Sequence, residues 1–137
     1  MSGFGFDIEM KNILSDFDNL ATEIQDKIVD ELRTTGLEIE TTYKINTPVV
    51  TSRLRSSIHT AHSDFTRYSY TDKFGNRYDG TFFEKPENKK QVIIGSNVVY
   101  APIIEIKGGK TMGKDALQNA FDMHTKGLSE RILKLIE

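Results

Sequence analysis

Residues 15–45 read SDFDNLATEIQDKIVDELRTTGLEIETTYKI. Leu20, Ile24, Ile28, Leu32, Ile39 and Tyr43 recur there at steps of four and seven, which draws one apolar stripe along a long amphipathic helix. Ser15 is placed to cap the start of that helix, with Asp18 three positions on. Glu23 and Lys27 form a favourable pair one turn apart. Thr34, Thr35 and Gly36 are poor helix formers in sequence, so a bend is predicted at that point. Pro48 ends the helix, because a proline pushes the residue before it out of the α region. The polar face is acidic, with eight Asp or Glu against three Lys or Arg between residues 15 and 45. Such a face is ordinarily a solvated one.

Downstream of Pro48, RSSIHTAHS (residues 55–63) alternates as a strand does. Ile58, Thr60 and His62 share one side of it, and Ser57, His59 and Ala61 the other. Residues 64–90 form an excursion holding seven of the thirteen aromatics: Phe65, Tyr68, Tyr70, Phe74, Tyr78, Phe82 and Phe83. TDKFGNRYDG (residues 71–80) within it is turn-rich, so a β-hairpin bearing aromatics is predicted. Val92, Ile93 and Ile94 read as a buried strand ending at Gly95. Residues 96–106 fit either a second strand or a short helical turn after Pro102. From Lys114, the positions Ala116, Ala120, Phe121, His124, Leu128, Ile132 and Ile136 give a closing amphipathic helix, weakened by Gly127. Upstream, FGFDIE (residues 4–9) alternates Phe4, Phe6 and Ile8 at period two, which suits a short strand or an arm within residues 1–14.

These segments predict a single α+β domain over residues 1–137, with an antiparallel sheet packed by a long N-terminal helix and a C-terminal amphipathic helix. At 137 residues, 37% hydrophobic and 28% charged, the chain is long enough to bury a core without staples. The net charge of −2 argues against a surface devoted to nucleic acid or anionic membrane. The absence of cysteine removes disulfides and thiolate chemistry. Residues 1–12, MSGFGFDIEMKN, lack the basic start and apolar run of a secretory signal, and no stretch approaches the roughly 20 apolar residues of a membrane span. The expectation is synthesis in the cytoplasm.

The chemistry-bearing residues form no recognisable reactive set. His59 and His62 fall on opposite faces of a strand, so one ion cannot hold both. GGKT (residues 108–111) resembles the end of a phosphate-binding loop, but the glycine that motif needs five residues before Gly109 is Ile104 here. No nucleophile elbow is present. Glu84 and Glu105 are the only carboxylates worth weighing as a catalytic pair, and nothing in the sequence brings them together.

The order of segments carries more. A long helix leads to TPVVTSRLRSSI (residues 47–58). A variable insert follows, then VIIGSNVVYAPIIEIKGG (residues 92–109), then a terminal amphipathic helix. This order resembles the tail-completion, or head–tail joining, proteins of the tailed-bacteriophage neck. Members of that family resemble a helix leading to Pro-Val-Asp-Thr-Gly-x-Leu-x-x-Ser-Ile, then a strand leading to Tyr-Ala-x-x-x-Glu-x-Gly. The matching positions are Pro48, Val49, Thr51, Leu54, Ser57 and Ile58, then Tyr100, Ala101 and Glu105. The family's Asp falls on Val50 and its Gly on Ser52, and the glycine after the glutamate falls on Lys107, with Gly108 one place later.

The resemblance implies a structural subunit of a ring, usually six-fold, that joins the DNA-filled head to the tail in the virion neck. It implies contacts with a head-completion protein and with a tail terminator or tube, and DNA passing through without specific binding. It implies no membrane, cofactor, metal or catalytic residue. Three expectations follow. Glu105 pairs with Arg53 or Arg55 and so ties the two stretches together. The aromatics of residues 65–83 form a docking surface. The acidic helix lines the DNA conduit. The alternative reading is a small nucleic-acid-binding accessory protein using Arg53, Arg55 and the same aromatics, marked by salt-sensitive DNA binding.

Overall fold

The computed structural model describes residues 4–9, 17–47, 53–64, 67–71, 75, 77–81, 86–96, 101–108 and 114–137. The long helix α1 spans Thr22–Ile45 and buries the expected stripe, with Ile28, Leu32 and Ile39 wholly inside and Tyr43 nearly so. It begins later than the sequence suggests. Phe17–Asn19 form a separate 3-10 turn, because Phe17 is drawn into the core and the Gln25 amide donates to its carbonyl at 2.9 Å. Ser15 and Pro48 lie outside the described residues, and α1 ends three residues before Pro48.

The helix is continuous through Thr34–Gly36, and Gly36 lets the sheet approach. A Cβ there would sit 2.8 Å from Val92 Cγ1 and 2.9 Å from Thr60 Cγ2, while Thr60 Oγ1 donates to the Gly36 carbonyl at 3.2 Å. Both blocking atoms belong to short, stiff β-branched side chains. Gly36→Ala is therefore expected to lose about 1–2 kcal/mol from overpacking, although alanine is the better helix former by about 1 kcal/mol. Urea melts of the two proteins check the sign, and a more stable alanine variant would overturn the close-approach account.

Among the described residues the larger sheet has three strands. β1 (Phe4–Glu9) and β2 (His59–Ala61) flank β5 (Gln91–Ser96), both antiparallel to it, in the order β1-β5-β2. Residues Val92–Ser96 are all buried, as a central strand requires. Val92 and Ile94 face α1 and join Ile58 in the main core, whereas Ile93 meets Ala61 on the other face. The alternation expected for Ile58, Thr60 and Ala61 thus holds, but the strand is short. Its first half is instead a helical turn, α2 (Arg53–Ser57), in which Ser57 Oγ donates to the Leu54 carbonyl at 2.7 Å. A separate hairpin pairs β3 (Arg67–Thr71) with β4 (Arg77–Thr81), Tyr70 opposite Tyr78. Of the residues left open between strand and helix, 101–106 fall in α3 (Ala101–Lys107), Ser96 ends β5, and 97–100 lie outside the described residues.

The single closing helix is two, α4 (Ala116–Thr125) and α5 (Leu128–Ile136). Gly127, at φ 75°, turns the chain between them. Arg131 reaches back to fill the gap, donating to the carbonyls of Lys126 (3.1 Å) and His124 (3.2 Å) while pairing with Glu31 of α1 at 2.7 Å. Both helices lie on α1 through Ala116, Leu117, Ala120, Leu128 and Ile132. The arrangement is an α+β domain with a long N-terminal helix and C-terminal helices packed around antiparallel strands.

Candidate functional site

The two stretches that carry the family resemblance meet. Leu54, on α2, packs against Ala101, the first residue of α3, and Ile104 closes over both. Ser57 Oγ lies 2.6 Å from Ser96 Oγ, which joins the end of α2 to the end of β5. Both residues are fully buried, where a hydroxyl without a hydrogen bond is costly. Pro48, Val49, Thr51 and Tyr100 lie outside the described residues.

The expected bond between Arg55 and Glu105 does not form, and the reason is the helix ends. Arg55 Nη2 donates to the Thr47 carbonyl at 2.8 Å and to the Ile45 carbonyl at 3.5 Å, where the last carbonyls of α1 leave a negative end. Glu105 does the opposite at α4. Its Oε1 accepts from the Leu117 amide at 2.9 Å and its Oε2 from the Gln118 amide at 3.0 Å, at the positive end of that helix. The Glu105 carbonyl also accepts from the Asp115 amide at 2.8 Å. Glu105 is only 7% exposed, and two backbone donors satisfy its carboxyl oxygens. For Arg53 the backbone of α2 is described and the side chain is not.

Other polar groups complete the joint. Thr47 Oγ1, wholly buried, donates to the Tyr43 carbonyl at 2.6 Å. Burial, and secondarily the Glu105 charge, push the Tyr43 hydroxyl well above its ordinary pKa. His59 Nδ1 donates to the Ser57 carbonyl at 2.7 Å, and burial lowers its pKa to about 4. His124, placed by periodicity on the apolar stripe of the closing helix, is a bridge to α1 instead. Its Nδ1 sits 3.2 Å from Glu38 Oε2, and its Nε2 lies 2.6 Å from Thr42 Oγ1.

Residues 109–111 of GGKT lie outside the described residues, and the Leu117 and Gln118 amides at the start of α4 are taken by Glu105. Among the described residues no group of three or more His, Asp or Glu is placed to hold a metal ion, and no described helix is long and apolar enough to cross a membrane. An open groove of about 370 Å³ runs beside α1, lined by Asp26, Asp30, Arg33, Asp64 and Lys89 among others. Arg33 pairs with Asp64 at 2.7 Å and holds that carboxyl below its usual range, and Lys89 donates to Gln25 at 3.3 Å. The groove lies among the Arg33–Asp64 pair and residues 88–89, away from the two matching stretches. Of the aromatic candidates, Tyr68, Tyr70 and Tyr78 fall in β3 and β4, and Phe65, Phe74, Phe82 and Phe83 lie outside the described residues.

No protein-family model, no curated protein and no solved structure matches the chain.

Proposed function

We propose that the chain is a structural subunit of a tailed-phage neck, a ring component that joins the DNA-filled head to the tail. The observation that carries the reading is the meeting of the two motif stretches: Leu54 against Ala101 and Ile104, with Ser57 bound to Ser96. Leu54 and Ala101 are matched positions that touch, Ser57 reaches the second stretch at Ser96, and the joint is built from packing and helix capping. Such a joint fixes how the hairpin, α1 and the closing helices are presented to neighbours, which is what a connector needs. In this reading the partners are a head-completion protein on one side and a tail terminator or tube on the other. The subunit is made in the host cytoplasm and ends in the virion, and DNA passes it without specific contact.

The accessory nucleic-acid reading loses one of its two arginines, since Arg55 is committed to the carbonyls of Thr47 and Ile45. Deleting the gene from the phage that encodes it tests the proposal. The expected lysate holds separate full heads and finished tails. Intact infectious particles from the deletion would overturn it.

A further inference from the structure

Among the described residues β1, β2, β3 and β4 each lack a partner strand on one side; β2 has only three residues, and the β1 and β3 edges match. The three-stranded sheet ends at β1, and among the described residues no strand pairs with its outer side. The hairpin is a sheet of only two strands, and among the described residues β3 pairs with β4 alone. A two-stranded ribbon is marginal by itself in water, and an open edge is a template for another strand. The two edges have similar length, six residues in β1 and five in β3. They also differ in charge: β1 carries Asp7 and Glu9 with no base, and β3 carries Arg67 with no acid. β4 carries both Arg77 and Asp79, and a second β1 would oppose acid with acid.

We infer that copies of this chain associate by edge pairing, the β3 edge of one adding antiparallel to the β1 edge of the next. The register that sets Arg67 opposite Glu9 also sets Tyr68 opposite Ile8 and Tyr70 opposite Phe6. Opposite charges and aromatic pairs, with a β-branched or another aromatic residue, are cross-strand combinations that stabilise a sheet. The contact joins two different surfaces, so each subunit keeps one free edge of each kind. Repetition closes such contacts into a ring or extends them into a filament. The inference rests on the reading of the chain as a self-assembling ring subunit and names the surface that builds the ring.

The absence of cysteine permits a clean test. Two full-length variants, Glu9→Cys and Arg67→Cys, are mixed and oxidised, so that a covalent link between them can form only between chains. Directly opposed strand positions lie within disulfide reach. The expected result is a covalent heterodimer from the mixture and little from either variant alone. In parallel, Arg67→Glu is expected to weaken self-association about fivefold or more, with Glu9→Arg in the same chain restoring it. A mixture that yields no more dimer than the separate variants overturns the inference, as does equal linkage through Arg77→Cys. Rings of the unmodified chain in native mass spectrometry without the 9–67 link would retain the ring and discard this edge. The link together with normal head–tail joining in the gene deletion would retain the edge and discard the neck role.

Discussion

Glu105→Ala is expected to lower stability by about 3 kcal/mol and the melting temperature by about 10 °C. The carboxylate holds two backbone donors at the start of α4, Leu117 and Gln118. Bonds to a charged acceptor contribute about 1.5–3 kcal/mol each, and loss of a helix cap costs about 1 kcal/mol in ordinary sites. The Leu117 amide is buried, so its partner is replaced by nothing rather than by water. Nor does the start of α4 hold a substitute: Asp115, at its N-cap with φ 56°, makes no side-chain cap bond. Glu105→Gln should fall between the two, because one amide oxygen still accepts while the NH₂ opposes an N–H. Thermal melts of the three proteins rank them. Arg55→Ala should add to Glu105→Ala with a coupling below about 0.5 kcal/mol, since each residue serves a different helix end. A strong coupling, or a Glu105→Ala protein as stable as the parent, would show that the two charges act on each other after all.

Much of the fold is legible in the residues, and the places where it is not share a cause. The buried stripe of α1, the central strand at Val92–Ile94 and the hairpin follow from local period and turn chemistry. α2 does not, because its sequence alternates like a strand. Its turn is held by Ser57 to Ser96, a bond between residues 39 positions apart that no local window contains. Gly36 reads as a helix weakener until the sheet is in place, and only then does its missing side chain become a packing requirement. The split of the closing helix has a visible signal in Gly127, but the arginine that makes the break tolerable comes from four residues further on. Glu105 stands out in the sequence, yet of its two expected arginines Arg55 serves the end of α1 instead. The Glu105 acceptors serve the N-terminus of α4, and that position stays hidden while residues 96–106 are open between strand and helix. Charges find helix ends as readily as they find each other, and sequence alone shows only the charges.

Acid should destabilise the protein well before its carboxylates titrate, and His59 sets the window. The residue is 7% exposed and lies in β2. Burial is the largest influence on it and lowers its pKa to about 4. The Ser57 carbonyl and Glu40 act the other way, and Lys44 adds to the lowering. Above pH 6.5 the imidazole is neutral in both the native and the unfolded chain, so it contributes no pH dependence. As pH falls below 6.5, the unfolded chain takes up a proton that the native protein refuses. Stability then declines by up to about 1.4 kcal/mol per pH unit, and by about 3 kcal/mol in all on reaching pH 4. Below pH 4 the native protein accepts the proton too, and this contribution levels off. His62, lowered by burial and by Arg33, acts in the same direction but is more exposed. Asp64, held down by Arg33, gives up its contribution only as pH falls below the ordinary carboxylate value of 3.8. Urea melts at pH 7, 5.5 and 4 should show the decline in the parent chain. In His59→Gln only the weaker slope left by His62 should remain. Equal slopes in both proteins would mean that His59 gains its proton in the folded state as easily as in water, and that the space around it admits solvent.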